Sequence, residues 1–83
     1  EYEKAISSYD QAIKIKPDLH EAWFTRGLAL YDLGEYEKAI SSYDQAIKIK
    51  PDLHEAWFTR GLALYDLGEY EKAISSYDQA IKF

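Results

Sequence analysis

Apolar residues recur along the chain at the spacing of an α-helix. From Tyr36 to Ile49 they occupy relative positions 0, 3, 4, 7, 10 and 11, with polar residues between them. This spacing predicts a helix that buries one stripe and exposes the rest to water. The segment from Leu19 to Leu33 has a wider apolar face, which contacts neighbours on more than one side or leaves surface free for a ligand. Two stripes form that face: Trp23, Gly27 and Leu30, and beside them Phe24, Leu28 and Tyr31.

Helix-ending residues agree with this pattern. Pro17 is expected to end the helix before it, because the residue preceding a proline avoids the α conformation. Asp18 is expected to cap the next helix, with Glu21 as the return partner of a capping box. Gly34 can adopt the left-handed conformation that closes a helix. Only Gly34 and Glu35 then separate two helices, which predicts that they pack as antiparallel neighbours.

The pattern repeats with a period of 34 residues. Residues 1–49 and 35–83 are identical except for the last pair, Ile49 and Phe83. A period of this length predicts a solenoid of stacked units, and no segment shows the alternation of a strand. The wide-faced helix is called helix A and the one-striped helix is called helix B. The prediction is an all-α single domain, residues 1–83, with five helices in the order B-A-B-A-B near 2–15, 19–33, 36–49, 53–67 and 70–82. Its parts are a leading helix B in 1–16 and two A/B pairs in 19–49 and 53–83.

Composition narrows the classes of partner. The net charge of −5 is spread evenly along the chain, and an acidic chain repels phosphate backbones, so no nucleic-acid partner is expected. No apolar run approaches the roughly 18 residues of a membrane helix, so no membrane partner is expected. The chain has no cysteine, which excludes disulfides and thiolate metal sites. The predicted location is the cytoplasm for a natural protein; otherwise the chain is a recombinant soluble protein.

Residue types with catalytic or metal-binding potential occur without partners. His20 and His54 each stand alone in their repeat, whereas a metal site needs several ligands, so both are predicted to be surface residues. Ser41 and Ser42 lie on a helix with no histidine nearby in the repeat, and a solvated helix face is the preferred interpretation. The four glycines form no phosphate-binding loop. The sequence therefore predicts no enzyme activity, no metal and no cofactor.

Conspicuous residues at the 34-residue period resemble the pattern of the tetratricopeptide repeat family. They are Trp23, Gly27, Ala39, Tyr43, Ala46 and Pro51, with second copies at Trp57, Gly61, Ala73, Tyr77 and Ala80. Two positions depart from the pattern, because Arg26 stands where the family has leucine and Leu30 where it has tyrosine. Our hypothesis is that Arg26 pairs with Asp10 or Asp44 on a neighbouring helix B. The alternative is that its stem packs while its head reaches water.

The resemblance implies a protein–protein interaction scaffold. In this family the A helices line the concave surface of a right-handed superhelix, which holds peptides or partner helices. Family members that grip carboxylate tails use lysine with asparagine or arginine there, but Phe24 and Thr25 occupy the matching positions, so that clamp is missing. Alternatively, the apolar stripe of helix A packs against the adjacent helix A. The surface carried over from the family comprises Glu21, Phe24, Thr25, Leu28, Tyr31, Asp32, Glu55, Phe58, Thr59, Leu62, Tyr65 and Asp66.

Two further expectations come from the repeat. Perfect identity at exposed positions, where most substitutions are nearly neutral, indicates recent duplication or deliberate construction. The alternative to an interaction scaffold is therefore an idealised repeat with no natural ligand, made for studies of folding or assembly.

The terminal helices lack one neighbour each, which predicts a homo-oligomer through exposed apolar ends. The end residues are Tyr2, Ile6, Tyr9, Ile74, Tyr77, Ile81 and Phe83.

Overall fold

The computed structural model describes residues 1–83 and contains five α-helices and no strand, as the sequence predicts. Each A helix is one residue shorter at either end than the apolar pattern suggests. None of the helices combines the length and hydrophobicity needed to cross a bilayer. The helices are α1 (Tyr2–Ile15), α2 (His20–Asp32), α3 (Tyr36–Ile49), α4 (His54–Asp66) and α5 (Tyr70–Lys82).

The turn before helix A differs from the predicted capping box. Leu19 is the N-cap of α2, and no side chain caps the helix. Asp18 lies one residue too early, because the chain turns at Pro17 and Asp18 before the helix starts. The indole Nε1 of Trp23 instead donates to the Pro17 carbonyl at 2.8 Å. A tryptophan from the first turn of the helix therefore holds the loop that a capping aspartate was expected to hold.

The turn after helix A ends as predicted. Gly34 has a φ of +79°, the left-handed region in which a side chain is unfavourable. Its amide donates to the Tyr31 carbonyl, and the Glu35 amide donates to the Leu30 carbonyl, each at 2.9 Å. These two bonds form a Schellman motif, which satisfies carbonyls that the helix end leaves free. The chain reverses here and brings α3 back along α2.

The five helices stack in chain order. Each helix packs on the next, and the contacts within the pairs α2/α3 and α4/α5 are the most extensive. The A helices α2 and α4 also touch each other, whereas the B helices α1, α3 and α5 do not contact one another. The A helices therefore lie on the shorter, inner side of the stack and the B helices on the longer, outer side.

The core forms where helix B meets a glycine of helix A. Tyr43 is completely buried, and its ring lies where a side chain at position 27 would project, with Cδ1 2.7 Å from the ideal Cβ position. Ala39 and Leu30 complete a cluster around it. Burial raises the pKa of Tyr43 to about 12. Thr59 opposes this shift by a smaller amount, but the two hydroxyls do not meet in hydrogen-bond geometry, and the Tyr43 hydroxyl has no partner.

Arg26 is paired, as the sequence hypothesis states. Its Nε donates to Oδ1 of Asp10 at 2.6 Å, and its Nη1 donates to Oγ of Ser42 at 2.6 Å. Asp44, the other candidate, pairs instead with Arg60 of the next unit at 2.7 Å. Each arginine therefore bridges the preceding helix B and the helix B of its own repeat.

The prediction of a solvated serine face is correct for Ser41 and wrong for Ser42. Ser41 is exposed, whereas Ser42 and its copy Ser76 are completely buried. Ser42 immediately precedes Tyr43 and shares its packed side of the helix, where the guanidinium of Arg26 supplies a donor. The arginine that replaces the family's leucine thus explains why a buried hydroxyl is accommodated next to the core.

Gly27→Ala should destabilise the protein because the new methyl group would overlap the buried Tyr43 ring. Overpacking costs about 1–3 kcal/mol, whereas the gain in helix propensity is about 1 kcal/mol. We expect the free energy of unfolding, measured by urea denaturation, to fall by about 1 kcal/mol. Gly61→Ala is the matched control, since Tyr77 is only partly buried and can turn away. Equal effects at both positions would contradict this account.

Ser42→Ala should cost about 1 kcal/mol of unfolding free energy because it removes an acceptor for the Arg26 guanidinium. Ser41→Ala makes the same chemical change one residue away on the exposed side of α3. That variant should be neutral or slightly stabilised, since alanine favours helices more than serine does. Urea unfolding of both variants is the measurement. Two equal losses would show that the Arg26–Ser42 bond contributes nothing.

Tyr43→Phe should be at least as stable as the parent at pH 7, because the buried hydroxyl has no hydrogen-bond partner. The pKa of Tyr43 in the folded protein, about 12, lies above the ordinary tyrosine value of 10.0. The contribution of protonated Tyr43 to the free energy of unfolding is therefore complete below pH 10. That contribution is lost as the pH rises towards 12. Between pH 8 and pH 11.5 the free energy of unfolding should fall less steeply with pH in the variant than in the parent. Parallel curves would contradict the prediction.

Candidate functional site

The twelve residues predicted from the family resemblance lie on the two A helices, six on α2 and six on α4, and together they are called the inner surface. Because α2 and α4 lie side by side, their two sets of side chains form adjacent rows. One pair meets directly across the rows, since the Tyr31 hydroxyl donates to Oδ2 of Asp66 at 2.6 Å.

The two rows differ in how open they are. In the first row, Phe24, Leu28 and Tyr31 are half-buried and pack against the core cluster around Tyr43. In the second row, Phe58 is 49% exposed and Tyr65 is 56% exposed. The first row is therefore mainly packed, and the second leaves aromatic surface accessible.

The Tyr31–Asp66 bond joins consecutive repeats. The hydrogen bond to the Asp66 carboxylate, followed by burial, raises the pKa of Tyr31 to about 12. The hydroxyl therefore stays protonated and remains a donor at neutral pH. Two residues predicted as ligand contacts are thus already bonded to each other, which the sequence spacing of 35 residues did not suggest.

Negative charge dominates the inner surface. Its twelve residues include the acids Glu21, Asp32, Glu55 and Asp66 and no lysine or arginine. The hydroxyls of the two threonines at the surface, Thr25 and Thr59, donate to backbone carbonyls of their own helices. The surface thus offers carboxylate acceptors and aromatic faces but few free donors.

The histidines form only local contacts. Nδ1 of His20 lies 3.6 Å from Oε1 of Glu21, and His54 and Glu55 repeat this arrangement. No group of three or more histidine, aspartate or glutamate side chains converges on a common point.

The C-terminal end of the stack carries an open apolar groove of about 440 Å³ between α4 and α5. Of the predicted end residues, Tyr77 and Ile81 line it, and Ile81 is 82% exposed. Ile74 and Phe83 are also exposed. Phe58 of the inner surface, His54 and Ala80 complete the lining, and the sequence predicted none of these three as an end residue. His54 and Ala80 are the copies of His20 and Ala46, which are more buried within the stack.

The N-terminal end carries a cavity of about 330 Å³ between α1 and α2. Predicted end residues Tyr2 and Tyr9 line it on one side. On the other side lie Leu28 and Asp32 of the inner surface, a connection that the sequence analysis did not make. Ile6 is half-buried and packs against the core cluster.

Comparisons with known proteins agree with this architecture. A family profile described as "TPR repeat" matches residues 1–34 and 27–68, and one described as "Tetratricopeptide repeat" matches residues 54–83. A search of curated protein sequences found no significant match.

Several solved structures superpose on nearly the whole chain. A crystal structure of MamA is 30% identical, with a TM-score of 0.97 over 99% of this chain and 48% of its own. The second TPR of Spaghetti (RPAP3), bound to the HSP90 peptide SRMEEVD, is 26% identical, with a TM-score of 0.93 over 96% of this chain and 74% of its own. The TPR2B domain of yeast Sti1, in a complex with pHsp70, is 26% identical, with a TM-score of 0.92 over 95% of this chain and 63% of its own.

The chain spans about half the length of the MamA structure that it matches. The family profiles together cover every residue from 1 to 83. The five helices and the absence of strands agree with those matches. The chain therefore belongs to the tetratricopeptide repeat family.

Proposed function

We propose that this chain is a non-catalytic interaction module whose inner surface binds a protein segment carrying apolar and basic side chains. The observation that carries the proposal is the combination of exposed aromatic rings and four carboxylates, with no lysine or arginine, on one surface. The RPAP3 and Sti1 domains, which share the fold and are 26% identical, are solved with HSP90 and pHsp70 segments. These complexes support a protein or peptide as the class of partner.

Charge separates this chain from a receptor for acidic tails. The HSP90 peptide bound to RPAP3 ends in the acidic sequence EEVD. Here Phe24 and Thr25 occupy the positions at which a carboxylate clamp carries lysine with asparagine or arginine, and the Thr25 hydroxyl donates to the Glu21 carbonyl. An acidic tail would meet only like charges, which oppose binding. A partner with lysine or arginine beside an aromatic or aliphatic residue satisfies both features of the surface.

The double variant Glu21→Lys and Glu55→Lys tests the proposal. Both side chains are well exposed, at 75% and 55%, so the fold should tolerate the exchange. A peptide selected from a library for binding the parent should contain basic residues, and the variant should bind it at least tenfold more weakly, a loss of about 1.4 kcal/mol. Calorimetric titration is the measurement.

The matched control is Glu37→Lys with Glu71→Lys. These glutamates are exposed in the first turns of the B helices, so the control changes the net charge equally on the outer side of the stack. Its affinity should stay within about twofold at physiological salt, where distant charges are screened. Equal weakening by both double variants would locate binding away from the inner surface. Selected peptides that are acidic would contradict the proposed partner chemistry.

We also propose that the chain associates with itself through its ends. Support comes from the exposed apolar residues of α5, including Ile74, Ile81 and Phe83, and from the groove beside them. Contiguous apolar surface of this kind marks interaction sites. Sedimentation equilibrium from micromolar to millimolar protein tests this second proposal, and a constant monomer mass would refute it.

A further inference from the structure

The two terminal helices have almost the same sequence. Residues 1–15 and 69–83 differ only at the last position, Ile15 against Phe83. Resting on the self-association proposed above, we propose that copies of this chain join by helix exchange. In each junction α5 of one copy takes the place of α1 on α2 of the next copy, and the displaced α1 is released.

The groove at the C-terminal end is shaped for a helix A. Phe58 and Ile81 line it and are exposed, and Tyr65 of α4 is exposed as well, yet the copies of all three 34 residues earlier are half-buried. The sequences are the same, so the difference comes from α4, which packs on α3 and touches α2. What covers this face inside the chain is therefore another helix A, and the α2 of a second copy has that sequence.

The helix that must leave is the one held most weakly. No residue of α1 is buried, because α1 packs on α2 alone and has no helix A of its own. In contrast, α5 lies in an extensive contact with α4, where Ala73 and Ser76 are completely buried. At a junction between copies only one helix B fits between two A helices. Therefore α5 stays packed on α4, and α1 dissociates from α2.

An aspartate that has no arginine partner in one copy gains one in the junction. Asp10 and Asp44 each accept from an arginine, whereas the equivalent Asp78 has no arginine partner. In the exchanged state Arg26 of the second copy leaves its own Asp10 for Asp78 of the first. Each junction thereby repeats the arginine–aspartate bond found inside the chain.

The inner side offers a second bond of the same kind. Tyr31 donates to Asp66, whereas the copies of these two residues, Tyr65 and Asp32, form no such bond within one chain. Asp32 lines the N-terminal cavity, which is where α4 of the preceding copy would lie. The junction brings Tyr65 of one copy to Asp32 of the next.

The exchange has a defined assembly geometry. Unlike ends meet, so the contact is heterologous and adds copies in one direction. The released α1 has 14 residues, which is marginal for an isolated helix in water, so it loses its helical structure. On α2 of the second copy, contacts with α5 of the first copy replace those with α1. The net free energy of association therefore comes from the new contact between α4 of the first copy and α2 of the second. Association therefore appears at high protein concentration.

Proline variants distinguish exchange from simple stacking of intact ends. Ser7→Pro breaks α1 in its interior and frees the face of α2. Exchange predicts that the midpoint concentration of association falls at least tenfold, because α1 no longer competes. If copies instead stack on an intact α1, the Ser7→Pro variant should associate more weakly than the parent, because its α1 is broken. Ser75→Pro, the same change in α5, should abolish association. Sedimentation equilibrium measures all three chains, with helix content checked by circular dichroism.

A second variant tests the junction without disturbing the single copy. Asp78 is exposed and has no arginine partner, so Asp78→Arg should leave the unfolding free energy unchanged. It would place a positive charge against Arg26 of the next copy and should reduce association at least tenfold. Glu71→Arg makes the same charge change on α5 outside the junction and should have little effect.

Hydrogen exchange on the parent chain completes the test. As the concentration rises, amides of α1 should lose protection while those of α5 gain it. Growing mass with retained protection of α1, or weaker association of Ser7→Pro, would overturn helix exchange and leave self-association standing. A constant monomer mass of the parent and of Ser7→Pro would overturn both.

Discussion

The contact between a tyrosine of helix B and a glycine of helix A is the constraint on which the rest of the structure depends. The ring of Tyr43 occupies the space that any side chain at Gly27 would need. This lets α2 and α3 approach closely, and completely buried alanines lie beside the ring. The spacing between the two helices sets the shape of the unit, and stacking copies of that unit sets the arc of the molecule.

A polar link accompanies this apolar contact at every junction between repeats. Arg26 and Arg60 each join the preceding helix B to the helix B of their own pair, and between α2 and α4 Tyr31 also joins the two A helices. The first link lies towards the outer side of the stack and the second on its inner side. Together they fix how one unit sits on another, while apolar burial supplies most of the driving force for packing.

Repeat architecture makes the environment of a residue depend on its position in the array. Tyr43 is completely buried, but Tyr77, its copy, borders an open groove. The same sequence is therefore core in one unit and solvent-exposed surface in the next. This is why the inner surface and the ends share residues: Phe58 belongs both to the second row of the inner surface and to the groove at the C-terminal end.

The sequence by itself determined the five helices, their order and the solenoid, because helical periodicity, proline, glycine and an identical 34-residue period are all local or repetitive features. It also suggested the pairing of Arg26, since a charge on an apolar face needs a partner. Only the tertiary structure decided that Ser42 is buried, that Trp23 rather than Asp18 holds the turn, and that Tyr31 is bonded to Asp66. Burial and hydrogen bonding in these cases depend on neighbouring helices, and the residues around a position are the same in every copy while its neighbours in space are not.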